Sequence, residues 1–248
     1  MKSTGKLYLI PTTLGDTNNS NPAKQTDPMD VLPMTVKRIV SLIDDYIVEN
    51  EKTARRFIKS IDPEKVQSTL RLHALNKHTD SSEYNQMIQP CIEGRNVGLM
   101  SEAGCPGIAD PGAAIVKIAH EKNIQVVPLV GPSSILLAMM ASGMNGQSFA
   151  FNGYLPIEKG DKKTMLKNLE KLSADKNQSQ SFIETPYRNN KLLEDILQTL
   201  QPATHLCIAA DITLPTEYIK TMRVQDWKKT KIDLHNRPTL FIIHKMQA

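Results

Sequence analysis

Short apolar runs rich in β-branched residues alternate along the chain with longer segments in which apolar residues recur at helical spacing. The runs that predict strands are residues 7–10, 46–48, 96–100, 124–129, 149–154, 181–184, 205–209 and 239–244. Apolar residues also recur at helical spacing from Val36 to Ile47 behind Pro33, a residue suited to a helix start, and predict a helix over residues 33–45. This alternation is typical of strand–helix repeats, so we predict an α/β fold with largely parallel strand pairing.

The length of the chain and its turn-rich stretches indicate how it is organised. A chain of 248 residues exceeds the usual size of one compact domain. We therefore predict two α/β domains, residues 1–129 and 130–248, joined at the sequence VGPSS; a turn inside one domain is the alternative. Residues 12–32 are rich in Asn, Asp, Thr and Pro without an apolar period, and predict one long exposed loop.

Composition narrows the class of protein. Hydrophobic residues make up 40% and charged residues 23% of the chain, which is ordinary for a globular enzyme. No apolar run approaches the roughly 18 residues that cross a bilayer, and the polar start MKSTGK is unlike a signal peptide. We therefore expect a cytoplasmic protein with no membrane contact. The net charge of +4 permits a nucleic-acid partner without indicating one.

The cysteines and histidines do not indicate a metal site. Cys91, Cys105 and Cys207 stand far apart with no paired spacing, and the histidines show no ligand spacing. We expect reduced, structural thiols and no bound metal.

The segment with the clearest chemical character is SEAGCPGIADPG, residues 101–112, directly after a predicted strand. Its three glycines and two prolines predict a tightly folded loop, at the strand end where open α/β sheets bind ligands. We expect Gly104 to serve main-chain conformation or the close approach of a ligand. The alternative is a plain surface turn in which Asp110 caps the helix of residues 113–121.

A second loop, PLVGPSS at residues 128–134, also follows a predicted strand and opens a helix. Hydroxyl groups and free amides at a helix start can hold the polar parts of a ligand. The alternative is that Ser133 or Ser134 only caps that helix.

Five segments, taken in order, are informative as a set. They are IPTTLGD at residues 10–16, SEAGCPGIADPG at 101–112, LVGPSS at 129–134, FNGYLP at 151–156 and IETPYR at 183–188. Together they resemble the tetrapyrrole methylase superfamily, and within it the ribosomal small-subunit 2′-O-methyltransferase I branch. One such string is weak evidence, whereas five in the same order with similar spacing are specific.

The resemblance implies a fold, a cofactor and an assembly. It implies two α/β domains with a cofactor cleft between them, S-adenosylmethionine as the cofactor, no metal and a homodimer. The positions that match the family's cofactor contacts are Pro11, Ser101, Glu102, Ala103, Gly104, Ile108, Ser133 and Ser134, followed by Tyr154, Ala209, Pro238 and Thr239.

The chain departs from this branch in two segments. The family's AEDTR becomes VENEK at residues 48–52, and its RELTK becomes ADITL at residues 210–214, which loses both cationic residues. These changes leave the methyl acceptor open. The candidates for a group that takes a proton from the acceptor are Glu49, Lys52 and Asp211, and each could equally be a solvated charge at a strand end.

Two groups of basic residues bear on the substrate. The lysine cluster comprises Lys159, Lys162, Lys163, Lys167 and Lys171, and the arginine cluster comprises Arg55, Arg56 and Lys59. Such groups can neutralise RNA phosphates, although a lysine-rich helix face is more often only solvated.

Three functions remain open from the sequence. The leading one is 2′-O-methylation of ribosomal RNA, on its own or in the small ribosomal subunit, or of another structured RNA. The alternatives are a methylase of a small tetrapyrrole-like acid, and a member of the family that binds cofactor or RNA without catalysis.

Overall fold

The computed structural model describes residues 4–15, 27–76 and 79–245. The chain divides into two compact units, Met1–Ser133 and Ser134–Ala248, and each unit contains its own five-stranded sheet. The predicted class, two α/β domains, is confirmed. The domain boundary between residues 129 and 130 stays a prediction. The compact units divide close to it, between Ser133 and Ser134.

The N-terminal unit is built on a parallel sheet in the order β3-β2-β4-β1-β5. Its strands are β1 (Leu7–Ile10), β2 (Asp45–Val48), β3 (Arg71–Ala74), β4 (Val97–Met100) and β5 (Val126–Pro128). Its helices are α1 (Pro28–Val31), α2 (Met34–Leu42), α3 (Glu51–Ile61), α4 (Tyr84–Met87), α5 (Gln89–Ile92) and α6 (Gly112–Glu121). Short 3₁₀ turns lie at Gln67–Thr69 and Ser81–Glu83.

Helices cover both faces of this sheet, because successive side chains of a strand point to opposite faces. Tyr46 and Val48 of β2 join one apolar cluster with residues of α2 and α3. Ile47, between them, joins a second cluster with residues of α6. The carboxyl ends of the central strands are thereby left to the loops that follow them.

The C-terminal unit has a mixed sheet in the order β6-β7-β10-β8-β9. Its strands are β6 (Phe149–Tyr154), β7 (Ser179–Ile183), β8 (His205–Ala210), β9 (Tyr218–Arg223) and β10 (Thr239–His244). Its helices are α7 (Ser134–Ser142), α8 (Lys159–Lys176), α9 (Asn189–Thr199) and α10 (Val224–Trp227), with a 3₁₀ turn at Pro186–Arg188. β6 and β7 are parallel, whereas the other three pairings are antiparallel. The expectation of largely parallel pairing is therefore wrong for this unit.

The local structure differs from the sequence predictions in three places: two edge strands, the end of one helix and the segment of residues 12–32. The sequence did not reveal β3 and β9, because both are edge strands whose side chains are partly exposed and do not form an apolar run. The helix predicted over residues 33–45 ends at Leu42, since Asp45 already belongs to β2.

The segment of residues 12–32 is not one exposed loop over the part that the structure describes. Thr12 and Thr13 are buried, and Pro28–Val31 is helical with Asp27 as its N-cap. Residues 16–26 of the predicted loop lie outside the described residues. No helix in the described ranges is both long and apolar enough to cross a membrane.

Lys162 lies inside the C-terminal unit, which corrects its assignment to a cluster suited to RNA phosphates. Its side chain is 8% exposed, and its Nζ lies 3.3 Å from Oδ2 of Asp195 in α9. Helical spacing places Lys162 on the buried face of α8 with Leu166 and Leu169. The members of the lysine cluster that stay exposed are Lys159, Lys163, Lys167 and Lys171.

The Lys162–Asp195 pair gives a test of this assignment. Replacing Lys162 with Glu would bury two carboxylates beside each other, so the free energy of unfolding should fall by about 3–5 kcal/mol. The matched control Lys163→Glu changes the neighbouring exposed lysine and should stay within about 0.5 kcal/mol of the wild type. Urea denaturation measures both, and equal stability of the two variants would contradict the buried pair.

Candidate functional site

Three loops meet at the carboxyl ends of the strands in the N-terminal unit. The main-chain N–H of Thr12, after β1, donates a hydrogen bond to the carbonyl oxygen of Gly104, after β4, at 2.9 Å. The thiol of Cys105 donates to the carbonyl oxygen of Pro132, after β5, at 3.5 Å. The loops that the sequence singled out therefore form one connected layer at the sheet edge where parallel sheets bind ligands.

Glycine is required where these loops touch. A Cβ atom on Gly131 would lie 2.2 Å from Cγ of Pro11, which is far inside contact distance. Gly104 has a φ of +73°, and a Cβ there would lie 3.2 Å from the carbonyl oxygen of Pro132. The prediction that Gly104 serves main-chain conformation agrees with this geometry, although the close approach observed is to protein atoms.

A cavity of about 220 Å³ opens beside this layer, at the ends of β1, β2 and β4. Its lining residues are Thr12, Thr13, Leu14, Gly15, Val48, Glu49, Thr53, Ala54, Arg56, Phe57, Met100, Ser101 and Glu102. Carboxylates, hydroxyl groups and a guanidinium thus face one space with apolar walls. This combination is typical of a pocket that orients a small polar ligand.

The turn after β2 fixes the loop after β4. The main-chain N–H of Glu102 donates to Oε1 of Glu49 at 3.0 Å, and the hydroxyl of Thr53 donates to Oε1 of Glu102 at 2.6 Å. Asn50 caps α3 by accepting from the N–H groups of Lys52 and Thr53, which holds Thr53 in place. The conformation at Glu102 is therefore set by contacts from another strand end.

Burial raises the pKa of two carboxyl groups at this edge. For Glu49, desolvation raises the pKa; the hydrogen bond from Glu102 opposes this effect, while the negative charges of Asp110 and Glu102 add to it. For Asp110, desolvation outweighs its bonds from the N–H groups of Gly107 and Gly112. Asp110 accepts from Gly112 at 2.7 Å, so it ties the loop to the start of α6, although the N-cap residue of this helix is Pro111.

The predicted cofactor positions of the N-terminal unit all lie in the three loops. Those that are buried are Pro11, Ser101 and Gly104, and those that are half-buried or exposed are Glu102, Ala103, Ile108 and Ser133. The apolar side chain of Ile108 is 56% exposed. The structure thus brings these residues together at one edge, and their contacts with a cofactor stay a prediction.

The predicted cofactor positions of the C-terminal unit fall in three places. Ser134 begins α7, Tyr154 ends β6, and Ala209, Pro238 and Thr239 lie together where β8 and β10 pair. Ala209 and Thr239 are buried, whereas Tyr154 and Pro238 are exposed. Their roles also stay predictions.

The three candidates for proton transfer differ in their surroundings. Glu49 is half-buried and lines the cavity of the N-terminal unit, whereas Lys52 is exposed in the first turn of α3. Asp211 is buried in the C-terminal unit, and its Oδ2 accepts from Nε of Arg237 at 2.7 Å and from the hydroxyl of Thr216 at 2.9 Å. The carboxylate of Asp211 is therefore already neutralised by a guanidinium.

Sequence reasoning did not predict the contact of Arg237 with Asp211, and it did not separate the roles of the residues in the arginine cluster. Arg237 supplies a cation to the segment ADITL from the chain just before β10, a proximity that strand pairing alone creates. In the arginine cluster, Arg55 donates to the main-chain oxygen of Gln67 at 2.7 Å, while Arg56 and Lys59 stay exposed. Thr53 and Arg56 line the cavity; they belong to the sequence TARRF, residues 53–57, which resembles the family segment that follows AEDTR, and this resemblance was the available signal for them.

The residues at this edge fit the chemical groups of S-adenosylmethionine. Its amine and ribose hydroxyls need acceptors such as the carboxylate of Glu102 and main-chain carbonyls, and its carboxylate needs donors such as main-chain N–H groups of the three loops. An exposed apolar side chain on the same loop, Ile108, suits the adenine ring. Within the described ranges, no group of three or more His, Cys, Asp or Glu side chains is placed to hold a metal ion.

Comparison with known proteins identifies the class of this fold and site. The sequence profile of the tetrapyrrole (corrin/porphyrin) methylases matches residues 31–227. The chain belongs to this family. It is a methyltransferase that uses S-adenosylmethionine.

Relatives and solved structures agree with this assignment. The ribosomal RNA small subunit methyltransferase I of Buchnera aphidicola (subsp. Schizaphis graminum) is 27% identical over 98% of this chain and 79% of its own length. The protein of that name from Vibrio cholerae is 27% identical over 87% of this chain and 68% of its length.

Two solved structures are similar in fold alone. The methyltransferase CobJ has a TM-score of 0.62 at 16% identity, covering 98% of this chain and 95% of CobJ. The cobalt precorrin-4 methyltransferase CbiF has a TM-score of 0.59 at 13% identity, covering 96% of this chain and 94% of CbiF.

The contact at Gly104 gives a test with a matched control. Gly104→Val should abolish detectable binding of S-adenosylmethionine in calorimetry, because a side chain there pushes apart the loops after β1 and β5. Gly107→Val is the control, since Gly107 also has a positive φ, of +83°, but an added Cβ meets nothing within 4 Å. The control carries only the main-chain strain of about 1–2 kcal/mol and should still bind. Normal binding by Gly104→Val would show that the loop is only a turn.

Proposed function

We propose that this protein transfers a methyl group from S-adenosylmethionine to a ribose 2′-hydroxyl of small-subunit ribosomal RNA. The observation that carries the proposal is similarity along 98% of the chain to a protein named ribosomal RNA small subunit methyltransferase I. The connected loops and the polar cavity of the N-terminal unit support it, since they provide a place for a small polar ligand. We also propose that the protein acts in the cytoplasm as a homodimer.

The loops of the N-terminal unit would hold the cofactor. They comprise residues 11–15, 101–112 and 129–133, and their mutual hydrogen bonds keep their main-chain groups aligned before any ligand arrives. When bound, S-adenosylmethionine supplies an electrophilic methyl group. The contribution of the chain is to align the two reactants and to exclude water, which accounts for much of the acceleration in a direct displacement.

Glu49 is the best candidate to take the proton from the acceptor hydroxyl. It lines the cavity, and burial raises its pKa toward the range in which a carboxylate is an effective general base. Lys52 is exposed, and Asp211 is engaged by Arg237. One oxygen of Glu49 accepts from Glu102, which leaves the other for the acceptor.

A tetrapyrrole-like acid is the second candidate substrate. The solved structures of similar fold include CobJ and a uroporphyrin-III C-methyltransferase, and the departures in residues 48–52 and 210–214 fall where the acceptor is expected. The Asp211–Arg237 ion pair restores a cation to the second segment, although one that is already neutralised.

Methyl transfer to isolated ribosomal subunits tests the proposed function. Small subunits from cells that lack the gene should accept tritium from methyl-labelled S-adenosylmethionine, whereas subunits from wild-type cells should not, because their site is already methylated. Nuclease digestion should recover the label as a 2′-O-methylated nucleoside. Label on uroporphyrinogen or a precorrin, and none on RNA, would favour the small-molecule alternative.

Glu49→Gln tests the proposed proton acceptor. The amide oxygen of Gln can still accept from the Glu102 N–H, so affinity for S-adenosylmethionine should stay unchanged while the rate falls by about 10²–10⁴-fold. In the wild type, protonated Glu49 is inactive, so the rate should rise with pH as the carboxyl ionises. Because burial raises the pKa of Glu49, this rise should lie at higher pH than for an ordinary Glu, and the variant should lack it. An unchanged profile in Glu49→Gln would exclude this role.

A further inference from the structure

Two tyrosine side chains stand exposed at one edge of the C-terminal sheet. Tyr154 ends β6, and Tyr187 lies in the 3₁₀ turn Pro186–Arg188 that follows β7. Each is 60% exposed, and no other aromatic residue in the described ranges is classed as exposed. Removing large aromatic surface from water is favourable, so an exposed pair calls for an explanation.

The two tyrosines lie at the same end of adjacent strands, because β6 and β7 pair in parallel. Tyr154 lies opposite Ile183, the last residue of β7, only a few residues before Tyr187. Arg188 follows Tyr187 directly in this turn and lies over its ring. Its pKa is raised, first by its hydrogen bond to Glu184 and in addition by Tyr187 and Tyr154.

The guanidinium of Arg188 is held in place against the ring of Tyr187. Its Nη2 donates to Oε1 of Glu184 at 2.7 Å, and its central carbon lies 5.3 Å from the ring centroid. The side chain of Glu184 is 2% exposed and accepts from the main-chain N–H of Thr185 as well. Among the described atoms, Nε of Arg188 is shielded from solvent and has no hydrogen-bond partner. This nitrogen is closed to a ligand, whereas the side chain of Arg188 as a whole is 31% exposed.

The turn that carries Tyr187 is anchored on both sides. The carbonyl oxygen of Pro186 accepts from the N–H of Asn236 at 3.1 Å, and the N–H of Arg188 donates to Thr185 at 2.9 Å. Asn189 is buried and donates to the carbonyl oxygen of Arg237 at 2.7 Å. Tyr187 is therefore presented by an ordered turn, and such a rigid aromatic group loses little entropy when it binds a ligand.

We propose that Tyr187 and Arg188, beside Tyr154, form a stacking platform for an unpaired base of an RNA substrate. This inference rests on the proposed function and names how the C-terminal unit would engage the RNA. Proteins read RNA mainly at unpaired bases, which stack on tyrosine rings and on planar guanidinium groups. A stacked base would cover the ring of Tyr187, and its edge or adjoining phosphate can accept from the guanidinium.

The test measures RNA affinity in variants of Tyr187 that distinguish base stacking on its aromatic ring from contact with an apolar side chain of similar size. Fluorescence anisotropy with a fluorescein-labelled single-stranded oligoribonucleotide of mixed sequence should show Tyr187→Ala binding about 5- to 100-fold more weakly than wild type. Tyr187→Phe keeps the aromatic face and should bind within about twofold of wild type. Tyr187→Leu keeps apolar bulk without that face and should be as weak as the Ala variant. Calorimetry should find unchanged affinity for S-adenosylmethionine in all three variants.

The alternatives give different results. Wild-type affinity in Tyr187→Ala, no RNA binding by the wild type, or a Leu variant that binds like the Phe variant would each overturn the platform. If light scattering shows that Tyr187→Ala loses RNA only by losing a second copy of the chain, Tyr187 is an assembly contact and the proposal is also overturned. Tyr187-dependent RNA binding by a protein that methylates no ribosomal RNA would support the platform and refute the proposed substrate.

Discussion

The hydrogen bond from the N–H of Thr12 to the carbonyl oxygen of Gly104 is the contact on which the N-terminal site depends. It joins the loop after β1 to the loop after β4, and Gly131 packs against Pro11 so closely that no side chain fits between them. Because these loops follow adjacent parallel strands, their main-chain groups converge without any further element. A ligand that enters meets polar groups whose orientation is already fixed, which lowers the entropic cost of binding.

The same edge shows why Glu49 differs from a surface carboxylate. Its hydrogen bond to Glu102 gives it a structural role, and burial gives it a raised pKa. A carboxylate that is both positioned and partly desolvated can serve as a base, whereas Lys52 is exposed and is not among the residues that line the cavity. Asp211 is positioned as well, but its carboxylate is already paired with the guanidinium of Arg237, and it does not line the cavity of the N-terminal unit.

The C-terminal unit uses buried charge in a different way. Lys162 and Asp195 neutralise each other between α8 and α9, and the carboxylate of Glu170 accepts from Thr204 and from the N–H of Gln201. Each buried charge needs a partner, because desolvation of an unpaired ion costs several kcal/mol, of order 3–5 when one member is removed. Because Lys162 is buried in this pair, it cannot contact an RNA phosphate. The exposed Tyr187 is therefore a more specific candidate than the lysine cluster for contact with RNA.

The sequence by itself determined the fold class, the positions of the eight strands that form apolar runs, and the loops that carry the family's motifs. Apolar periodicity and glycine-rich segments are local properties, so they can be recognised without knowledge of the fold. Edge strands β3 and β9, the buried face of α8 that takes in Lys162, and the link of Arg237 to Asp211 were decided only by the tertiary structure. Whether a charge is solvated, buried or neutralised depends on residues distant along the chain, and strand pairing and helix packing bring those residues together.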